Sequence, residues 1–352
     1  MDIAEIRKNI DEIDRQIIEL LSKRLELVKN IAEYKRSYGL NINDELREID
    51  LSIKWRKLAA TYGVPLDLVE QVLKEILKHS KKLQIDVVKS IDGCRNIYGT
   101  RIAIVGYGKM GKALGLQIIN RGFEVVITGR DIEKAKMVAR ELGCNAIELE
   151  RALASCNHII LALSLQAYLD GFVDTIARHM AGKIVMDILS SKNLVYKHVE
   201  KLSHIYRFAY VSTHPLFGPS TPAYSQKIAI IPSETGKDVL EDVVNFWKCV
   251  GLDPIVVSYE EHEKTMAIVQ VLTHMLILLF QLGVEELSKE LGVDPLKLST
   301  PTFRELTAIS IRLNEIKDVV YEIQKNNGFS PLVHEKIFTL FRKIVEELGG
   351  KI

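Results

Sequence analysis

Apolar residues at Ile3, Ile6, Ile10, Ile13, Ile17, Leu20, Leu21, Leu25, Val28, Ile31 and Ala32 recur with a helical period, and neither Pro nor Gly interrupts them before Gly39. A second helical stretch is predicted from about Asp44 to Tyr62, ending at Gly63, and a third from Pro65-Leu66-Asp67 to about Val88. Residues 1–90 therefore read as an all-α three-helix domain. The segment from Ser90 to Gly99 has turn residues and no period, so 91–99 reads as a linker. After it the texture alternates. Apolar runs Ile102–Val105, Val125–Ile127, Ile159–Leu163, Ile184–Ile188, Ala209–Val211, Ile228–Ile231 and Ile255–Val257 predict strands, with helical patterns such as Ile132–Leu142 between several of them. That alternation predicts an α/β domain with a mostly parallel sheet over 100–258. From 259 to 352 only helical stretches remain, about Glu260–Leu291, Thr302–Lys325 and Pro331–Leu348.

Composition narrows the function classes. Lys+Arg 47 against Asp+Glu 46 leaves a formal net charge of +1, which argues against a nucleic-acid binder. The charged N-terminus is unlike a signal peptide, and the run Met275–Phe280 is too short to span a bilayer, so no membrane association and a cytoplasmic location are expected. Cys94, Cys144, Cys156 and Cys249 have no C-x-x-C spacing, which predicts neither a zinc site nor a disulfide framework.

The polar residues of the helical domain fall into sets. Arg24 and Lys35 are eleven apart and share a helix face; Asp44, Arg47 and Glu48 sit at i, i+3 and i+4; Ser80 and Gln84 sit at i, i+4. Each set suits one small anionic ligand. Arg7 lies seventeen residues before Arg24, roughly 25 Å along a straight helix, so it joins such a site only across a dimer. Arg7, Arg24, Lys35, the D-x-x-R-E of Asp44, Arg47 and Glu48, then Ser80 and Gln84, resemble the site pattern of the all-helical chorismate mutases over 5–85. The resemblance implies an interlocked homodimer in which Arg7 serves the partner's site. It also implies that Arg7 and Arg24 clamp carboxylates of chorismate, that Lys35 and Gln84 donate to the breaking ether oxygen, and that Glu48 accepts from the substrate hydroxyl. Asp44, Arg47 and Ser80 support the pocket, and no metal is needed.

In RIAIVGYGKMGKALG, Gly106, Gly108 and Gly111 follow a predicted strand and open a helix, with Lys109 and Met110 between them. That context makes a dinucleotide fingerprint. The second strand ends Thr128-Gly129-Arg130-Asp131. Arg130 suits the 2′-phosphate of NADP, which is favoured over NAD, while Asp131 serves either a ribose or the next helix as a cap. Ser212-Thr-His-Pro-Leu-Phe-Gly-Pro-Ser220 follows a strand and sets His214 at the sheet's C-terminal edge. This HP-x-FGP segment resembles prephenate dehydrogenases, as do Asp187-x-x-Ser190-x-Lys192, the run Glu261-His262, Met266, Gln270 and His274, and the pair Arg304 and Arg312. The likeness covers about 100–325 and is greatest to archaeal members. It implies that His214 is the general base on prephenate, that Ser190 orients that histidine or the substrate hydroxyl, and that Arg312 holds a substrate carboxylate. Arg304, Gln270 and His274 are further substrate contacts; for His274 a core role stands equally open. The joint expectation is a bifunctional enzyme that makes prephenate from chorismate and oxidatively decarboxylates it. The alternatives are arogenate as the oxidised substrate, or N-terminal helices that only dimerise or sense a ligand.

Overall fold

The computed structural model describes residues 2–38, 40, 44–94, 99–221 and 226–350. The chain divides into two compact units, Met1–Ile97 and Tyr98–Ile352.

The first unit is three helices, α1 (Ile3–Ser37), α2 (Glu45–Tyr62) and α3 (Leu66–Cys94). Their small core consists of Val28 and Ala32 from α1, Ala59 from α2, and Leu73, Leu83 and Val87 from α3. Asp44 caps α2 by accepting from the amide of Arg47, and Gly63 ends it in the left-handed region. In the N-terminal half of α1, every described residue from Ile3 to Leu20 is exposed. Its stripe of Ile3, Ile6, Ile10, Ile13 and Ile17, spaced 3, 4, 3 and 4 residues, is 43–65% exposed. The third helix departs from expectation by continuing through Cys94, into the segment read as a linker. Gly93 inside it costs only about 1 kcal/mol relative to alanine, too little to stop a helix that is already wound. Residues 95–98 of that linker lie outside the described residues.

The second unit is built on an eight-stranded sheet of β1 (Arg101–Val105), β2 (Glu124–Thr128), β3 (Asn145–Ala146), β4 (His158–Leu161), β5 (Ile184–Asp187), β6 (Ala209–Pro215), β7 (Lys227–Pro232) and β8 (Asp253–Val256). The strand order is β3-β2-β1-β4-β5-β6-β7-β8, parallel except for the β6–β7 pair. Continuous apolar strands reflect burial on both faces, where α4 (Lys109–Ile119), α5 (Ile132–Leu142), α6 (Leu149–Ser155), α7 (Leu165–Leu169), α8 (Phe172–Ile176), α9 (Tyr196–Tyr206) and α10 (Leu240–Val250) connect the strands. Strand β3, only two residues long, carries no periodic signal and was not anticipated.

Helices α11 (Tyr259–Met266), α12 (Thr273–Leu291), α13 (Pro301–Asn314), α14 (Lys317–Asn326) and α15 (Ser330–Glu347) complete the unit. A π turn, Ala267–Leu272, joins α11 to α12. The single helix expected over Thr302–Lys325 is two, broken at Glu315-Ile316 just after the poor helix former Asn314. The run read as too short for a bilayer lies inside the continuous helix Tyr259–Leu291, which by length and composition is able to cross one. Yet its first turns carry His262 and Glu263, each 2% exposed and packed at the sheet edge, a placement that holds this helix to the α/β unit.

Candidate active sites

In the helical unit the structure joins some of the expected residues. Arg24, half-buried, donates from Nη1 to Ser80 Oγ at 2.6 Å, and Ser80 Oγ donates in turn to the Ile76 carbonyl at 2.6 Å. Burial, reinforced by the charge of Arg47, pushes the Arg24 guanidinium below its usual range, the state of a cation lacking an anion. Next to Ser80 on α3, Lys81 reaches Glu48 Oε1 at 2.7 Å, a partner that sequence reasoning missed. Gln84 is half-buried and its Oε1 is buried with no partner. Lys35 is half-buried on α1. Arg47 is exposed and pairs with Asp50 at 2.6 Å. Arg7 stands apart, exposed on the unpartnered half of α1.

In the second unit, order reverses between β1 and β4, the position where doubly wound sheets open a crevice at their C-terminal edge. Gly106 follows β1 at φ 124°, and a Cβ there would collide with the Ala162 carbonyl beyond β4. At Gly108, which precedes α4, the space is open. Lys109 is exposed, Met110 half-buried and Gly111 buried against Ile104 and Ala162. A bare backbone loop entering a helix N-terminus beside open space fits a dinucleotide pyrophosphate. Arg130 is exposed at the end of β2, its guanidinium 5.1 Å from the centroid of the Phe172 ring. Asp131 caps α5, accepting from the amides of Glu133 and Lys134 at 3.1 Å each.

His214 lies inside β6 rather than after it, because Thr213, His214 and Pro215 pair with Ile230, Ala229 and Ile228 of β7. The polar Thr213-His214 and the following proline hid that extension. His214 is 2% exposed, and its Nδ1 is 3.0 Å from His262 Nε2. His262 Nδ1 is in turn 3.3 Å from Glu263 Oε1. Burial, then His262, then the charge of Lys192 hold the His214 imidazole well below the ordinary histidine range. A buried Lys192 supports this cluster: its Nζ donates to Asp187 Oδ1 at 2.5 Å and to the Thr213 carbonyl at 2.8 Å. Tyr210 completes Asp187 by donating to Oδ2 at 2.7 Å. A fully buried ion pair is tolerable only when both ions are so satisfied.

Ser190 is half-buried in the turn after β5. Gln270, in the π turn, and His274, just past it, have buried Oε1 and Nδ1 atoms with no partner. Burial lowers the His274 imidazole also. Arg304 and Arg312 are not drawn in: both are exposed on α13, with Arg304 held by the Ser299 carbonyl at 2.8 Å. Asp187, Lys192 and His262 had been visible in motifs without being assigned roles, and Glu263 carried no signal of its own.

Comparison with known proteins follows this division. A sequence profile described as chorismate mutase type II matches residues 6–85, and one described as NADP oxidoreductase, coenzyme F420-dependent, matches 101–191. A chorismate mutase of Methanocaldococcus jannaschii is 39% identical over 82 residues, 23% of this chain and 83% of that protein. A probable arogenate/prephenate dehydrogenase of the same organism is 31% identical over 254 residues, 70% of this chain and only 56% of its own length. The T-protein of Enterobacter agglomerans is 25% identical over 315 residues, 89% of this chain and 78% of that protein, so the likeness crosses both units. The crystal structure of prephenate dehydrogenase from A. aeolicus in complex with hydroxyphenyl propionate and NAD+ has the same fold, with TM-score 0.55 at 20% identity over 71% of this chain and 92% of that one. Through its N-terminal unit the chain belongs to the type II chorismate mutases, and that domain is joined to a Rossmann-like unit of the prephenate dehydrogenase fold.

Proposed function

We propose that the protein catalyses two consecutive steps, rearranging chorismate to prephenate in residues 1–90 and oxidatively decarboxylating prephenate in the remainder. In that division 100–258 binds cofactor and 259–352 supplies the substrate side and part of the subunit contact. The observation that carries the second step is the buried, depressed-pKa His214 backed by His262 and Glu263 at the C-terminal sheet edge.

The mutase step needs a folded dicarboxylate and stabilised charge on the ether oxygen as it breaks. Arg24, under-neutralised over Ser80, takes a carboxylate through its planar fork. Glu48, paired with Lys81, accepts from the substrate hydroxyl. Lys35 and Gln84 donate to the ether oxygen; for Gln84 the amide turns its NH2 toward substrate. Arg7 comes from a second copy, and the exposed isoleucine stripe of α1 is the apolar seam against which that copy packs.

For the oxidation, the Gly106–Gly111 loop would hold the oxidised nicotinamide cofactor, which when bound would supply the hydride acceptor for C4 of prephenate. His214 takes up the C4 hydroxyl proton as the carbonyl forms, and donates from Nδ1 to His262 Nε2 while it is charged. His262 then donates from Nδ1 to Glu263, so the positive charge is met by a carboxylate. Loss of carbon dioxide leaves its electron pair in the ring, and the proton returns to the new phenol oxygen. Ser190 orients the hydroxyl, Gln270 and His274 bind the side chain, and Arg304 and Arg312 reach substrate carboxylates after leaving their present exposed positions. Arg130, beside Phe172, favours NADP over NAD, and the engagement of Asp131 as a helix cap removes the competing acidic contact. A coupled assay tests the whole reading: chorismate plus NADP+ is expected to yield reduced cofactor, and chorismate consumption without cofactor reduction would refute the second step. Arogenate in place of prephenate is the comparison substrate.

A further inference from the structure

The π turn between α11 and α12 has a geometric consequence for the site. His262 and His274 are twelve residues apart; at about 100° per residue a regular α-helix would set them roughly 120° apart around the axis. A π turn closes its hydrogen bond over one additional residue, so about eleven residues of rotation remain and the two imidazoles come within roughly 20° of each other. The buried polar atoms of Gln270 and His274 thereby join the face that holds His262 against His214.

Such a turn is intrinsically poorer than α-helix and persists where something holds it. Here the holder comes from α14. Gln324, 8% exposed, donates from Nε2 to the carbonyl of Val271 at 2.8 Å, inside the π turn. Its own Oε1 is 2.8 Å from Nε2 of His334 on α15, which fixes the amide the right way round. One turn further along, Asn327, 4% exposed, donates from Nδ2 to the carbonyl of Glu263 at 3.0 Å. Side chains of α14 and its C-cap thus grip the α11–α12 helix at two carbonyls, one within the π turn and one ahead of it.

We infer that Gln324, anchored by His334, is a positioning residue of the oxidation: it keeps the π turn wound and thereby sets Gln270 and His274 toward the substrate side chain, eight to twelve residues beyond the base's partner. The inference rests on the reading of that site as the prephenate site. Gln324→Met keeps length and apolar bulk and loses both bonds; His334→Phe loses only the anchor. In Gln324→Met the KM for prephenate is expected to rise about tenfold, the scale of one buried hydrogen bond, with kcat within about threefold and cofactor affinity unchanged. His334→Phe should act in the same direction and more weakly. Because the two residues act in series, the double variant should be no worse than Gln324→Met alone. Amide exchange across 267–275 should accelerate by about tenfold in either single variant, while exchange in β1 and β4 stays put. Unchanged exchange in the π turn overturns the inference whatever the substrate proves to be, and so does a loss confined to kcat, or additive effects of the two substitutions. A wild-type enzyme that fails to oxidise prephenate overturns the site reading instead, and leaves the exchange experiment to decide the role of Gln324. Should Gln324→Met fail to fold, as reported by lost cofactor binding, the half-buried His334→Phe variant carries the same two readouts.

Discussion

His158, the first residue of β4, lies at the end of the sheet opposite the His214–His262 pair and is expected to make the second unit acid-sensitive. It is 8% exposed, neither ring nitrogen has a partner, and its ring centroid is 5.3 Å from that of Phe246. Burial lowers its pKa from 6.5 to about 4, only partly offset by Asp242. The folded state therefore keeps the ring neutral where the unfolded chain protonates it. Stability from this residue is complete above pH 6.5 and is lost as pH falls toward 4. A shift from 6.5 to about 4 corresponds to about 3 kcal/mol at the acid limit, and about 2 kcal/mol of that is lost by pH 5. His158→Leu removes the titrating group and keeps comparable apolar volume against Phe246. Urea unfolding of a Trp55→Phe background, in which buried Trp247 beside Phe246 is the sole tryptophan reporter, measures the unit directly. The difference in unfolding free energy between parent and His158→Leu should move by about 2 kcal/mol in favour of the variant between pH 8 and pH 5. Other buried histidines contribute equally to both proteins and cancel. Parallel pH profiles for the two proteins over that range would refute the argument, because an imidazole with an ordinary pKa contributes no such slope.

Three further outcomes test the sites. Arg130→Ala should raise the KM for NADP+ about tenfold, one charge-assisted contact, and leave that for NAD+ within about twofold; equal losses would remove the 2′-phosphate role. The acid limb of kcat/KM for prephenate should fall below pH 6.5, because burial and its neighbours depress His214. His262→Asn removes the acceptor for the charged His214 ring and its link to Glu263, so the limb should shift as the maximal rate drops; a limb that stays in place would uncouple the two histidines. Arg7→Ala and Lys35→Ala subunits, each expected to lose roughly a hundredfold or more in mutase rate while oxidising prephenate normally, should recover activity when refolded together. Proven mixed dimers with no recovery would return Arg7 to the surface.

Legibility in the sequence followed the strength of local signals. The first two helices and α5 were readable because apolar spacing and Gly63 or Gly143 caps act within a few residues. The glycine loop was readable for the same reason: φ 124° at Gly106 and contact with Ala162 require glycine. The extension of β6 through His214 was not, since only pairing with β7, thirteen or more residues later, makes Thr213-His214-Pro215 a strand. The π turn has no compositional mark and depends on Gln324 and Asn327, more than fifty residues downstream. Lys192 looked like a surface lysine in a turn; its burial follows from Asp187 and the Thr213 carbonyl meeting it in space. Arg304 and Arg312 were assigned to the site through the family resemblance, and the structure leaves them exposed on α13.

The pairing of His214 with Ala229 ties the proposed base to the arithmetic of a pleated ladder. Side chains alternate faces along a strand, so a single residue gained or lost between Val211 and His214 would turn the imidazole away from His262 and present Thr213 or Pro215 in its place. The loop that returns to β7 is under no such parity. Lineages carrying this architecture are thus free to lengthen, shorten or rewrite that loop, while an odd-numbered indel within β6 turns the proposed base from its partner without touching its codon.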